Sequence, residues 1–178
     1  MAKTKVFVSY DHSEDAKYKR LLQAWDANPD FDFEFDSRGP NVAINSTDAA
    51  VVKAALVKTM KTATHLLVLV GEKSSTSDWI NWEIARAKES DVELKIAAVK
   101  LTGSSVSPAG LLNVGTAWAT SFTRDRIVDA LKVAKGRLLK RTILAASWRR
   151  GWQPPRNLHR RDNEHRHPKT VLRRHGIR

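Results

Sequence analysis

Apolar positions follow two different spacings along the chain, and the switches between them mark the elements. Val6-Phe7-Val8 sits inside a short run, Lys5 to Tyr10, that reads as a buried strand. The polar turn Asp11-His12-Ser13-Glu14-Asp15 follows, rich in residues that cap helices. Leu21, Leu22 and Trp25 then recur at helical spacing from Ala16 to Asn28, where Asn28-Pro29 stops the helix. Phe31-Asp32-Phe33-Glu34-Phe35-Asp36 alternates strictly, which predicts a half-exposed strand near a sheet edge. A polar loop from Ser37 to Thr47 leads to a second helix, capped by Asp48 and running to about Thr62. Its inner face is predicted as Val51, Val52, Ala55, Leu56 and Met60. His65 to Gly71 is the most continuous apolar run, the mark of a central parallel strand covered on both faces.

After another polar loop, Glu72 to Ser77, a third helix runs from Trp79 to about Ser90, capped by Ser77 or Asp78. Lys95 to Leu101 predicts a fourth strand, and a weaker segment around Val114 to Ala119 a short fifth. The last helix is predicted from about Thr123 to Lys140 or beyond, with Ile127, Leu131, Ala134 and Leu138 in phase. Five strands are thus interleaved with four helices, which implies a parallel sheet wrapped on both faces. At this length the expected fold class is α/β, a flavodoxin-like three-layer sandwich. Its five-stranded sheet takes the order 2-1-3-4-5, and the alternating second strand suits an edge.

Charge divides the chain unevenly. Its 178 residues carry 31 Lys and Arg against 19 Asp and Glu, a net charge of +12. Residues 148–178 hold ten of the basic and only two of the acidic side chains, with four of the six His. The expected organisation is therefore a nearly balanced domain over 1–147 and a basic tail over 148–178, too poor in aliphatic residues to offset its ordering entropy. Any nucleic-acid binding would belong to that tail alone, through phosphate contacts, and the favoured reading is a plain solvated extension. There is no Cys, hence no disulfide framework, thiol nucleophile or Cys-ligated metal. No apolar run approaches a membrane span and none resembles a signal-peptide core, so a soluble, cytoplasmic protein is expected.

In open α/β sheets ligands bind beyond the carboxyl ends of the strands, where the strand order reverses. For this order that point lies between the first and third strands. The loops Ser9–Asp15, Ser37–Thr47 and Gly71–Trp79 should converge there, at the start of the helix that bears Glu83. Neither a dinucleotide fingerprint nor a P-loop is present. Gly71 and Glu72 stand where a phosphoacceptor domain would place an Asp. The hydroxyl-rich Ser74-Ser75-Thr76-Ser77 is weak evidence for a phosphate site. Trp79 and Glu83, four apart, share one helix face, while Ile80, Ile84 and Ala87 form the core face. The first pair is either an aromatic wall beside a functional carboxylate or a packing Trp beside a solvated Glu.

Three segments, Val6-Phe7-Val8-Ser9-Tyr10, Leu66-Leu67-Val68-Leu69-Val70-Gly71 and Ser77-Asp78-Trp79-Ile80-Asn81-Trp82-Glu83-Ile84, together resemble a TIR-like domain, the ThsB family of the Thoeris anti-phage defence system. The resemblance spans about residues 4–140. The loop Asp36-Ser37-Arg38-Gly39-Pro40-Asn41 departs from the Arg-Asp/Pro-Gly pattern of classical TIR domains and is closer to the TIR-like branch. The resemblance implies the flavodoxin-like fold already expected. It also implies an NAD+ nucleosidase or cyclase with Glu83 as catalytic residue, releasing nicotinamide and leaving ADP-ribose or a cyclic ADP-ribose signal. NAD+ is then the substrate and no cofactor or metal is expected. The implied partners are further copies of the chain on activation, a phage-derived trigger, and a separate effector reached by the diffusible nucleotide.

That chemistry needs little machinery. Nicotinamide leaves from a cationic ring, so no strong general acid is required, and one carboxylate can stabilise the oxocarbenium-like transition state. Trp79 or Trp82 either stacks on a planar ring of the substrate or belongs to the core. Arg38 either contacts phosphate or is a solvated loop residue. Ser9, Tyr10 and Asp11 either contact the ribose or nicotinamide or cap the following helix. The alternative function is a non-enzymatic TIR-like interaction module.

Overall fold

A computed structural model describes residues 3–13, 15–29, 31–37 and 43–136. These belong to the first of two units into which the chain divides, Met1–Leu139. Arg38, Leu138 and the basic tail over 148–178 lie outside the described residues. The elements run in the order β1 (Thr4–Ser9), α1 (Ala16–Asp26), β2 (Phe33–Asp36), α2 (Ala49–Met60), β3 (His65–Val70), α3 (Asp78–Ala87) and β4 (Lys95–Lys100). A 3-10 turn (Ala109–Leu111), β5 (Ala117–Ala119) and α4 (Arg124–Val133) follow. The five strands form one sheet, all parallel, in the order β2-β1-β3-β4-β5.

The two-residue period of a strand sorts side chains between two cores. Val6, Val8 and Tyr10 point to the face covered by Leu22 of α1 and Ile127 and Leu131 of α4. Phe7 points the other way, to Leu56 and Met60 of α2 and Ile80, Ile84 and Ala87 of α3. All six residues of β3 are buried, as its unbroken apolar run requires of a strand covered on both sides. β2 is an edge strand: Phe33 and Phe35 are buried, while Glu34 on the opposite face is exposed. It starts two residues later than the alternation predicts, because the Phe31 amide donates to the Asn28 carbonyl in a turn. The Phe31 ring nevertheless joins the same aromatic row, 5.9 Å from Phe33 and 5.7 Å from Phe35.

Two helices depart from expectation. The inner face of α2 is Ala49, Val52, Leu56 and Met60; Val51 is 73 % exposed and Ala55 is also outside. Ala and Val surround this helix, so its pattern carries little phase information and the sheet decides which stripe is covered. α4 ends at Val133, and Ala134 turns extended with ψ 125°. A β-branched residue followed three positions later by Gly136 is a weak site for helix propagation.

Candidate functional site

The parallel register brings the end of β1 against the middle of β3, with Ser9 beside Val68. Ser9 shares the face of Phe7 and therefore looks toward α3; Tyr10 falls on the opposite face. Beyond Ser9, the Asp11 carboxylate accepts from the Ser13 amide at 2.9 Å and from the Ser13 hydroxyl, an Asx turn that shapes the loop. The Asp15 amide donates back to the Asp11 carbonyl at 2.9 Å and closes it.

α3 begins where Ser77 Oγ accepts from the Ile80 amide at 3.4 Å, with Asp78 in the first turn. Asn81 Nδ2 ties the preceding loop to the helix by donating to the Ser75 carbonyl at 3.1 Å and the Ser77 carbonyl at 3.0 Å. The buried residues of α3 are Ile80, Glu83, Ile84 and Ala87, an i, i+3, i+4, i+7 stripe. Glu83 thus belongs to the inward stripe and not to a rim face shared with Trp79. It is only 3 % exposed, which overturns the solvated-surface alternative. The spacing that reveals this is present in the sequence; a carboxylate within an apolar stripe is simply easy to assign outward.

Burial pushes the Glu83 carboxyl up to about 8, against the smaller opposing pull of the Ser9 hydroxyl. Ser9 is itself buried, and its Oγ makes no aligned hydrogen bond within the described residues. It lies close enough to Glu83 to favour the carboxylate without forming a bond of ordinary geometry. A buried hydroxyl left this way costs on the order of 1–3 kcal/mol, and such orphans concentrate where function requires them. Tyr10 lies within electrostatic reach: burial first, then the Glu83 charge, holds its phenol up at about 12. Its Oη lies 2.9 Å from His12 Nε2 and donates to the Ser37 carbonyl at 3.3 Å.

The loop after β3 is closed on itself. Ser74 Oγ accepts from the Gly71 amide at 2.8 Å and donates to the Leu69 carbonyl at 3.1 Å, while Thr76 Oγ1 donates to the Lys73 carbonyl. These hydroxyls shape the loop instead of facing a phosphate. Gly71 packs against the buried Asp15 carboxyl: a Cβ on Gly71 would stand 2.6 Å from Asp15 Oδ2. Asp15 occupies the N-cap position of α1 without a side-chain cap bond. Its carboxyl is turned inward to the junction of the β1 and β3 loops. Sequence reading missed His12, Asp15 and Ser37, since turn residues of these types look alike whether they cap a helix or point inside.

Trp79 and Trp82 meet edge to face at 5.7 Å, half-buried against the α2–α3 core. The Lys53 ammonium of α2 lies 5.9 Å from one ring centre and 5.7 Å from the other. Ser9 and Glu83 are therefore brought together, Tyr10 feels the Glu83 charge from the opposite face of the sheet, Asp11 shapes the loop, and the two Trp form a neighbouring packing unit. Among the described residues there is no cluster of three or more His, Cys, Asp or Glu fit to hold a metal, and no helix long and apolar enough to cross a membrane. A buried carboxyl, protonated at neutral pH, can ionise when a cation is placed against it, and it can then hold that charge in a setting of low dielectric.

A family model described as Thoeris protein ThsB, TIR-like domain, matches residues 7–105, more than half of the chain. The match runs from β1 through β4 and includes Ser9, Tyr10 and Glu83. No curated protein matches the chain.

Proposed function

The chain belongs to the TIR-like domain family of the Thoeris protein ThsB, a family of anti-phage defence, and on that premise we propose that it is an NAD+-cleaving enzyme with Glu83 as its catalytic residue. The observation that carries this reading is the buried Glu83 carboxyl, lodged in the apolar stripe of α3 beside the buried Ser9 hydroxyl at the point where the strand order reverses.

Glu83 is only 3 % exposed, so substrate reaches it on this reading through a local opening of the domain. The nicotinamide ring then brings a permanent positive charge against the carboxyl, which favours loss of its proton. As the glycosidic bond breaks, the electron pair leaves with neutral nicotinamide and the positive charge moves to the ribose. The Glu83 carboxylate stabilises that charge, and Ser9 supplies a hydroxyl donor to it or to a ribose oxygen. Tyr10 and Asp11 line the same approach; Trp79 and Trp82 offer the nearest large rings, and Arg38 a phosphate contact. Capture of the cation by water gives ADP-ribose; capture by the adenine of the same molecule gives a cyclic product. Either is a diffusible nucleotide suited to activating a separate effector after a phage-derived trigger, with copies of the chain assembled.

The test is product analysis by mass spectrometry after incubation with NAD+. Wild type is expected to release nicotinamide, and Glu83→Gln to lose at least about 100-fold of that rate while keeping its circular dichroism spectrum. Full activity in the variant overturns the assignment of Glu83. Absence of turnover in wild type, alone, concentrated or with infected-cell extract, favours the interaction-module alternative.

A further inference from the structure

The Tyr10 hydroxyl has one proton and two neighbours. The Ser37 carbonyl, 3.3 Å away, can only accept. His12 Nε2, 2.9 Å away, is a donor or an acceptor according to its tautomer. Both contacts are satisfied only when Nε2 carries the hydrogen. With hydrogen on Nδ1 instead, the phenol proton is drawn to His12 and the Ser37 carbonyl is left facing an oxygen lone pair.

We propose that His12 is a positioning residue: its Nε2–H donates to Tyr10 Oη, which directs the phenol proton onto the Ser37 carbonyl and clamps the end of β1 to the end of β2. The ring geometry supports a built contact. The Tyr10 and His12 rings lie 4.7 Å apart, and Lys19 of α1 places its ammonium 5.8 Å from the Tyr10 ring centre. His12 is exposed at its surface, yet desolvation by the neighbouring groups and then the Lys19 charge keep it below the usual histidine range, against the opposing pull of Asp11. A neutral His12 is free to choose its tautomer, and the Ser37 carbonyl selects it. Tyr10 directly follows Ser9, which touches Glu83, so the clamp fixes one end of the approach to that carboxyl. That consequence for NAD+ binding rests on the function proposed above; the clamp itself does not.

Three measurements on the full chain test it. Imidazole 15N shifts are expected to show His12 as the Nε2–H tautomer at pH 7.5; the Nδ1–H tautomer overturns the proposal. Amide hydrogen exchange over 34–37 is expected to quicken about five-fold in His12→Leu and in Tyr10→Phe, the size of one hydrogen bond, with no further gain in the double variant. His12→Gln keeps an N–H donor and is expected to return exchange to within about two-fold of wild type. Exchange in His12→Leu equal to wild type, or in His12→Gln equal to His12→Leu, overturns the clamp. In nicotinamide release, His12→Leu is expected to raise KM about five-fold with a smaller change in kcat, and His12→Gln to restore it. Wild type without any nicotinamide release overturns the function proposed above, and the tautomer and exchange measurements then decide the clamp alone.

Discussion

Glu83 concentrates the physical tension of this molecule in one carboxyl group. Ile80, Ile84 and Ala87 bury their stripe at no electrostatic cost, whereas Glu83 in the same stripe must hold its proton to stay there. Its folded value of about 8 lies above the 4.5 of an exposed glutamate, so the folded chain binds a proton that the unfolded chain releases between those values. The contribution of this group to stability is therefore fully present below about pH 4.5 and is lost as pH rises toward 8. Thermal melts of wild type are expected to fall over that window relative to Glu83→Gln, which lacks the titration. At about pH 8.5 the variant is expected to be the more stable by at least about 1 kcal/mol. Melting points that track each other across about pH 5–9 would show that Glu83 does not hold its proton in the fold. On the enzymatic reading, kcat/KM for nicotinamide release rises with pH toward the same value, since it reports ionisation of the free enzyme.

The end of β3 comes close against the entry to α1. Gly71 is required there for space: a methyl at its Cα would stand 2.6 Å from Asp15 Oδ2 and 2.7 Å from Oδ1. The displaced group would be a buried carboxyl, not the free end of a surface side chain. Gly71→Ala is expected to destabilise by about 1–3 kcal/mol in urea unfolding, and Asp15→Ala to relieve part of that penalty in the double variant. Additive losses would place the strain elsewhere. The same scale explains what the residue pattern conveyed. Phe31, Phe33 and Phe35 against Asp32 and Glu34 announce an edge strand, because alternation has only two phases and one must be wet. α2 announces only that it is a helix: with apolar residues around most of its circumference, Val51 and Leu56 look equally suited to the core, and only the sheet separates them.

The whole molecule joins a domain of nearly balanced charge to a sequence tail that holds most of the positive excess. Anion binding should follow that division. A chain ending at Ser147 is expected to elute from heparin at markedly lower salt than the full chain. Every phosphate or sulfate group that the tail neutralises releases about one counterion, and without the tail that share of the salt dependence disappears. Unchanged elution would move the anion-binding surface to residues 1–147. Nicotinamide release, if it belongs to the Glu83 site, depends on the domain that contains the family match over residues 7–105.

Strand–helix alternation, the edge character of β2 and the reversal of strand order between β1 and β3 follow from the sequence alone, because short-range periodicity and the handedness of βαβ crossovers leave few arrangements of five parallel strands. Ser9, Tyr10 and the helix that bears Glu83 were legible as lying near that reversal for the same reason. What only tertiary packing decided is how they face. The Ser9 hydroxyl set against Glu83, the inward turn of Asp15 onto Gly71 and the Tyr10 bridge from His12 to Ser37 all depend on residues far apart in the chain. Local pattern records which side of an element is apolar. The distance between polar groups on different elements is fixed only when the helices settle on the sheet.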